Sequence, residues 1–115
     1  MAEAWVSVRC LFRSHHEGGQ VYEERVTLWR STSISGAIEL AEEEAYSHAA
    51  LLTGPPGWPT EYLGLAQAYL LADEVEPGAE VFSLMRSSDL GPADYLDTFF
   101  DTGRELAGRE PETDT

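Results

Sequence analysis

Apolar and polar residues alternate over residues 4–13: Val6, Val8, Cys10 and Phe12 share one parity, Ser7, Arg9 and Arg13 the other. A period of two predicts a half-buried strand. The stretch 15–20, HHEGGQ, holds a Gly-Gly pair and predicts a hairpin turn. Residues 21–30 then predict a second strand, with Tyr22, Val26 and Leu28 on one face and Arg25, Thr27 and Trp29 on the other. The period next lengthens. Ile34, Ile38, Ala41, Ala45, Ala49 and Leu52 recur every three or four positions, predicting an amphipathic helix with Ser35 as its N-cap. Three prolines in residues 53–60, TGPPGWPT, forbid regular structure and mark a joint. Beyond it the pattern predicts a strand over 61–72, a turn at Pro77-Gly78, a strand over 80–86 and a helix from Gly91 to about Gly103. Gly91 is the expected N-cap there, because Pro92 fits the first helical position, where its missing N–H costs no bond. Leu90 and Tyr95 would form the hydrophobic staple.

The second half echoes the first. Residues 24–40 laid over 80–96, an offset of 56, match at six of 17 positions, including Leu28/Leu84, Arg30/Arg86 and Ser31/Ser87. Internal repetition at a fixed offset predicts a duplicated unit. The expected fold is α+β: a ββα-ββα duplication whose four-stranded, mainly antiparallel sheet carries both helices on one face. The repeat units would be 4–52 and 61–103, joined by the loop 53–60 within a single domain over 1–103. Residues 104–115 lose periodicity and read as a disordered tail.

Charge narrows the function classes. The 115 residues hold 21 acids against seven arginines and no lysine, a net charge of −14. Binding nucleic acid requires cations to neutralise phosphates, so that class is excluded, as is a basic membrane-surface module. No stretch reaches the roughly 18 apolar residues of a membrane span, and the N-terminus shows no signal-peptide pattern. A 43% hydrophobic content belongs to a folded chain. One cysteine cannot close an internal disulfide, which predicts a reducing cytoplasm. The charge is uneven: residues 1–32 hold four Glu and four Arg, whereas residues 33–115 hold 17 acids and three Arg.

Short blocks recur in order along the chain: Trp5, Ser7 and Arg9; Tyr22-Glu23-Glu24-Arg25-Val26 with Leu28; Glu61-Tyr62-Leu63-Gly64; and Arg86, Ser88-Asp89-Leu90 and Tyr95-Leu96. Over roughly residues 4–100 these blocks resemble a family of short bacterial proteins classed only as a domain of unknown function. The resemblance implies no activity and no catalytic residue. The missing lysines and the Pro/Gly/Trp joint depart from its pattern.

No catalytic constellation is legible. Cys10 has inward parity, where a free thiol acts as a small hydrophobe, and a strand would hold His15 about 17 Å from it. His48 lies near the inward stripe of the helix, with a backbone group as its expected partner. The adjacent His15-His16-Glu17 cannot converge on one ion, and no second ligand cluster exists, so neither metal nor cofactor is expected. Glu39, Glu42, Glu43 and Glu44 read as a solvated helix exterior, with a face steering a basic protein as the functional counterpart. In the duplicated sheet Glu24 would face Arg86 and Arg30 would face Glu80 as cross-strand ion pairs.

The expected interaction surface is the outward sheet face. Trp5, Arg9, Arg25, Trp29 and Met85 are its predicted binding residues, joined there by Leu11, Thr27 and Val81, because Trp and Arg anchor interfaces. Three readings follow. One is a non-catalytic protein-binding module of the inhibitor or immunity type. Another is a homodimeric binder of a small anionic molecule, or an enzyme acting on one. The third is a purely structural homodimer.

Overall fold

The computed structural model describes residues 2–52 and 59–106. They form two compact units, Met1–Ser83 and Leu84–Thr115. The first contains β1 (Ala4–His16), β2 (Gly19–Ser31), α1 (Ile34–Leu52) and β3 (Thr60–Leu70). The three strands form one antiparallel sheet in the order β2-β1-β3. The helix packs on one face of this sheet, which we call the covered face; the opposite one is the open face.

A two-residue turn, Glu17-Gly18, fixes the hairpin register: Val8 lies opposite Thr27, Cys10 opposite Arg25, and Val6 opposite Trp29. Directly opposed residues share a face. Since Val6, Val8, Cys10 and Phe12 are buried under α1, the odd-numbered residues of β2 must face α1 as well. Burial follows that rule, with Glu23, Arg25, Thr27 and Trp29 half-buried and Tyr22, Glu24, Val26, Leu28 and Arg30 exposed. The helix answers with a stripe of small residues, Ala37, Ala41, Ala45 and Ala49, stepping by four and lying against β1. Alanine lets the helix approach closely, and longer side chains along its flanks reach down over β2 and β3.

The helix is capped by Ser33, not Ser35. The Ser33 hydroxyl accepts the Gly36 N–H at 2.9 Å and its carbonyl accepts the Ala37 N–H at 3.1 Å. A Cβ at Gly36 would lie 2.7 Å from Ser31 Oγ and 2.8 Å from Ser33 Oγ, so a larger residue would push both hydroxyls aside, the capping one included.

β3 contains a bulge. Cys10 is opposite Ala66 but Phe12 is opposite Tyr62, and Gly64 between them adopts φ 75°. A left-handed residue is what such an insertion needs, and glycine adopts it without steric cost.

The four-stranded duplication is overturned. Among the described residues no strand forms over 80–86. After Leu71, whose N–H reaches the Trp5 carbonyl at 3.1 Å, the acidic stretch 72–76 leads into a turn in which Ala79 N–H bonds the Glu76 carbonyl at 2.9 Å. The chain then crosses the open face instead of running beside β3. Phe82 lies 5.0 Å under the Arg9 guanidinium and 5.9 Å from the Tyr69 ring, and the Tyr69 hydroxyl donates to Glu80. Side-chain anchors replace a backbone ladder. The proposed cross-strand ion pairs vanish with that strand: Glu24 pairs with Arg9 at 3.3 Å and Arg30 with Glu3 at 3.2 Å.

The expected second helix, Gly91 to about Gly103, is also cut short. Among the described residues the second unit holds α2 (Pro92–Tyr95), which continues as a π-type turn over Leu96–Phe100 closed by Asp101 N–H on the Leu96 carbonyl. Gly91 is its N-cap and Pro92 its first residue, as the sequence suggested. The two caps, Ser33 and Gly91, lie 58 positions apart while the sequence echo runs at 56, so the echo does not track structure. The stretch 53–58, most of the expected joint, and residues 107–115 of the expected tail lie outside the described residues. No helix is long and apolar enough to cross a membrane among the described residues.

Candidate functional site

Two places in the first unit concentrate polar chemistry: the seam between α1 and the covered face, and the centre of the open face.

The seam is built from side chains that the helix flank brings onto the strands. Over β2, Arg25 pairs with Glu44, and His48 Nε2 lies 3.0 Å from Glu23 Oε1. The His48 ring also meets Phe12 edge-on at 5.0 Å. His48 therefore reaches the sheet and is satisfied by a carboxylate, not by a backbone group as expected. Over β3, the Tyr62 hydroxyl donates to Glu42 Oε2 at 2.6 Å, and the Tyr62 ring meets Phe12 at a tilt at 5.5 Å and Tyr46 edge-on at 5.2 Å. Burial, reinforced by the Glu42 carboxylate, pushes the Tyr62 phenol well above the ordinary tyrosine range. Cys10 is buried beside it, and that burial holds its thiol above the usual range, with the hydrogen bond to Tyr62 opposing the shift in part. A thiol held in its neutral form is a poor nucleophile. The seam thus ties helix to sheet. Two members of the acidic run, Glu42 and Glu44, serve it, while Glu39 and Glu43 remain exposed.

The open face has a different character. Trp5, Ser7, Arg9, Leu11 and Arg13 of β1 lie in its centre, flanked by Tyr22, Val26 and Leu28 of β2 and by Gln67 and Tyr69 of β3. Arg9 is the hub: Glu24 holds it from one side at 3.3 Å, the Gln67 side-chain oxygen accepts from it on the other, and Phe82 covers it. Next to the Gly64 bulge a cavity of about 370 Å³ opens, lined by Arg9, Leu11, Glu24, Leu65, Ala66 and Gln67. The bulge explains it, since an irregular strand cannot fill the space beside Leu11. Ser7 is fully buried in this face, and its hydroxyl has no hydrogen-bond partner among the described residues.

The predicted binding residues are therefore not one surface. Trp5 and Arg9 share the open face, with the Arg30 guanidinium 5.5 Å from the Trp5 ring. Arg25 and Trp29, expected beside them, point the opposite way into the seam, as does Thr27, whose hydroxyl accepts the Trp29 indole N–H at 2.7 Å. Met85 belongs to the second unit and is 93% exposed. The residues that sequence reasoning missed are Glu24, Leu65 and Gln67 at the cavity and Glu23, Glu42 and Tyr62 in the seam. Only the hairpin register carried a signal for any of them.

Among the described residues no group of three or more His, Cys, Asp and Glu side chains could hold a metal ion. Comparison with protein-family models, with curated proteins and with solved structures finds no match for this chain.

Proposed function

We propose that this chain is a non-catalytic protein-binding module of the reducing cytoplasm, comparable in kind to inhibitor and immunity proteins, and that it docks through the open face of its sheet. The observation that carries this reading is the run of Tyr22, Val26 and Leu28, 53, 42 and 37% exposed, on the face that α1 leaves uncovered. Val26 and Leu28 are neighbours on that face and Tyr22 lies beyond Glu24; exposed apolar side chains beside arginine and tryptophan are what protein interfaces use. The charge distribution supports it. A formally neutral first hairpin sits in a strongly acidic chain, so long-range attraction favours a basic partner while the contact itself is apolar. The polar seam, the other candidate, is occupied with holding α1 down.

The test is capture from an extract of the source cells by the protein and by its Leu28→Arg variant. The reading expects a stoichiometric protein partner that is retained by the first and lost by the second, with both melting alike. A partner held equally by the two would place docking elsewhere.

A second reading is favoured by the cavity beside Arg9: a homodimeric binder of a small anionic molecule. Such a ligand would have to displace the Glu24 carboxylate from Arg9. Bound small molecule in the purified protein, lost on Arg9→Ala substitution, would support this alternative.

A further inference from the structure

We infer that the open face of one copy receives the segment 84–106 of a second copy, so that two chains close into a symmetric dimer by exchanging these segments. This rests on reading the open face as a protein-docking surface.

The segment itself gives the first reason. None of residues 84–106 is buried; Met85, Leu96, Phe99 and Phe100 are 93, 44, 45 and 74% exposed. It is nonetheless shaped. Gly91 and Pro92 start the helical turn, Arg86 donates to the Tyr95 hydroxyl at 2.9 Å, and the same guanidinium lies 4.2 Å from the Phe99 ring centre. A helical stretch of nine residues does not hold itself in water. It needs a surface on which to bury its apolar side.

Charge gives the second. Residues 84–106 carry five acids and two arginines, whereas the open face presents Arg9, Arg13 and Arg30 against Glu24 and Glu61. Opposite signs meet when the segment lies on the hairpin.

The path of the chain gives the third. Phe82 already lies over Arg9 and Tyr69, so the first unit ends with its chain running across its open face. A twofold axis near that point carries each departing segment onto the neighbour's face, and such an isologous contact closes without growing further. Four apolar side chains from each copy bury on the order of 1,000 Å², close to what a specific dimer requires.

The experiment measures mass by light scattering on the full chain and on two full-length variants, Leu28→Arg in the face and Phe100→Glu in the segment. The unaltered chain should run at twice its 12.7 kDa. Each variant should raise the dimer dissociation constant roughly tenfold or more. An equimolar mixture should recover association, because the first variant keeps its segment and the second keeps its face. A monomeric unaltered chain, or a dimer indifferent to Phe100→Glu, overturns the inference. If Leu28→Arg alone breaks the dimer, the face still docks protein but its occupant is not this segment. If neither variant breaks it, the docking reading falls too.

Discussion

Arg25 of β2 and Glu44 of α1 form an ion pair across the space between sheet and helix, with their side chains 30 and 33% exposed. Because both groups are partly wet, the pair contributes little beyond its geometry. A double-mutant cycle on Arg25→Ala and Glu44→Ala in urea should give a coupling of about 0.5–1 kcal/mol, with both single variants folded. No measurable coupling would mean that Arg25 faces solvent.

Adjacent residues on β2 should behave as opposites. Trp29 packs against the core while Leu28 lies on the open face. Trp29→Glu should cost about 2–4 kcal/mol, because it places a charge beneath α1, and Leu28→Glu, compared at concentrations where the chain is monomeric, should stay within about 0.5 kcal/mol. Thermal melts of the two variants decide this directly.

Alkaline pH should reveal Tyr62. Its folded-state phenol is raised, so the folded state keeps the proton after the unfolded chain has begun to lose it. That stabilisation is whole below the unfolded value of about 10 and is lost as pH climbs above it, by up to about 1.4 kcal/mol per pH unit. Urea midpoints between neutral pH and pH ~11 should therefore fall less steeply for Tyr62→Phe than for the unaltered protein. Parallel curves would show Tyr62 to be solvated.

The thiol offers an independent probe of the same seam. Cys10 is 4% exposed, and burial favours its neutral form. A thiol reagent should leave it unmodified in the folded protein and label it promptly in denaturant; prompt labelling of the folded chain would contradict the packing of α1 on β1.

An unpaired buried hydroxyl makes a fifth case. Ser7→Ala removes a polar atom that has no partner among the described residues, so it should be neutral or stabilising by about 1 kcal/mol. A loss of that size would mean that the hydroxyl is bonded in solution.

The first hairpin and α1 were legible because their periods are clean: Val6, Val8, Cys10 and Phe12 alternate, and Ala41, Ala45 and Ala49 step by four. Which way β2 faced was not. The parity of Arg25, Thr27 and Trp29 is plain in the sequence, but their side of the sheet depends on whether the turn holds two residues or three. A one-residue change would have set Arg9 opposite Arg25. Composition argued for the wrong choice, since Arg25 and Glu23 look like surface residues until Glu44 and His48 reach them from the helix. The second half misled for another reason. Residues 80–86 alternate as a strand does, but nothing local in Phe82 or Glu80 says that they will bond Arg9 and Tyr69 through side chains and cross the face. Alternation records that a segment can lie on a surface, not that a ladder will form.

That a second copy docks on the open face is tested most directly by methyl NMR spectra recorded on dilute and concentrated samples. Signals of Val26, Leu28 and Leu65 on the open face should move with concentration, while those of Val6 and Val8 beneath α1 stay fixed. Shifts confined to exposed residues of α1, such as Leu40 and Leu51, or spectra that do not change at all, would contradict it.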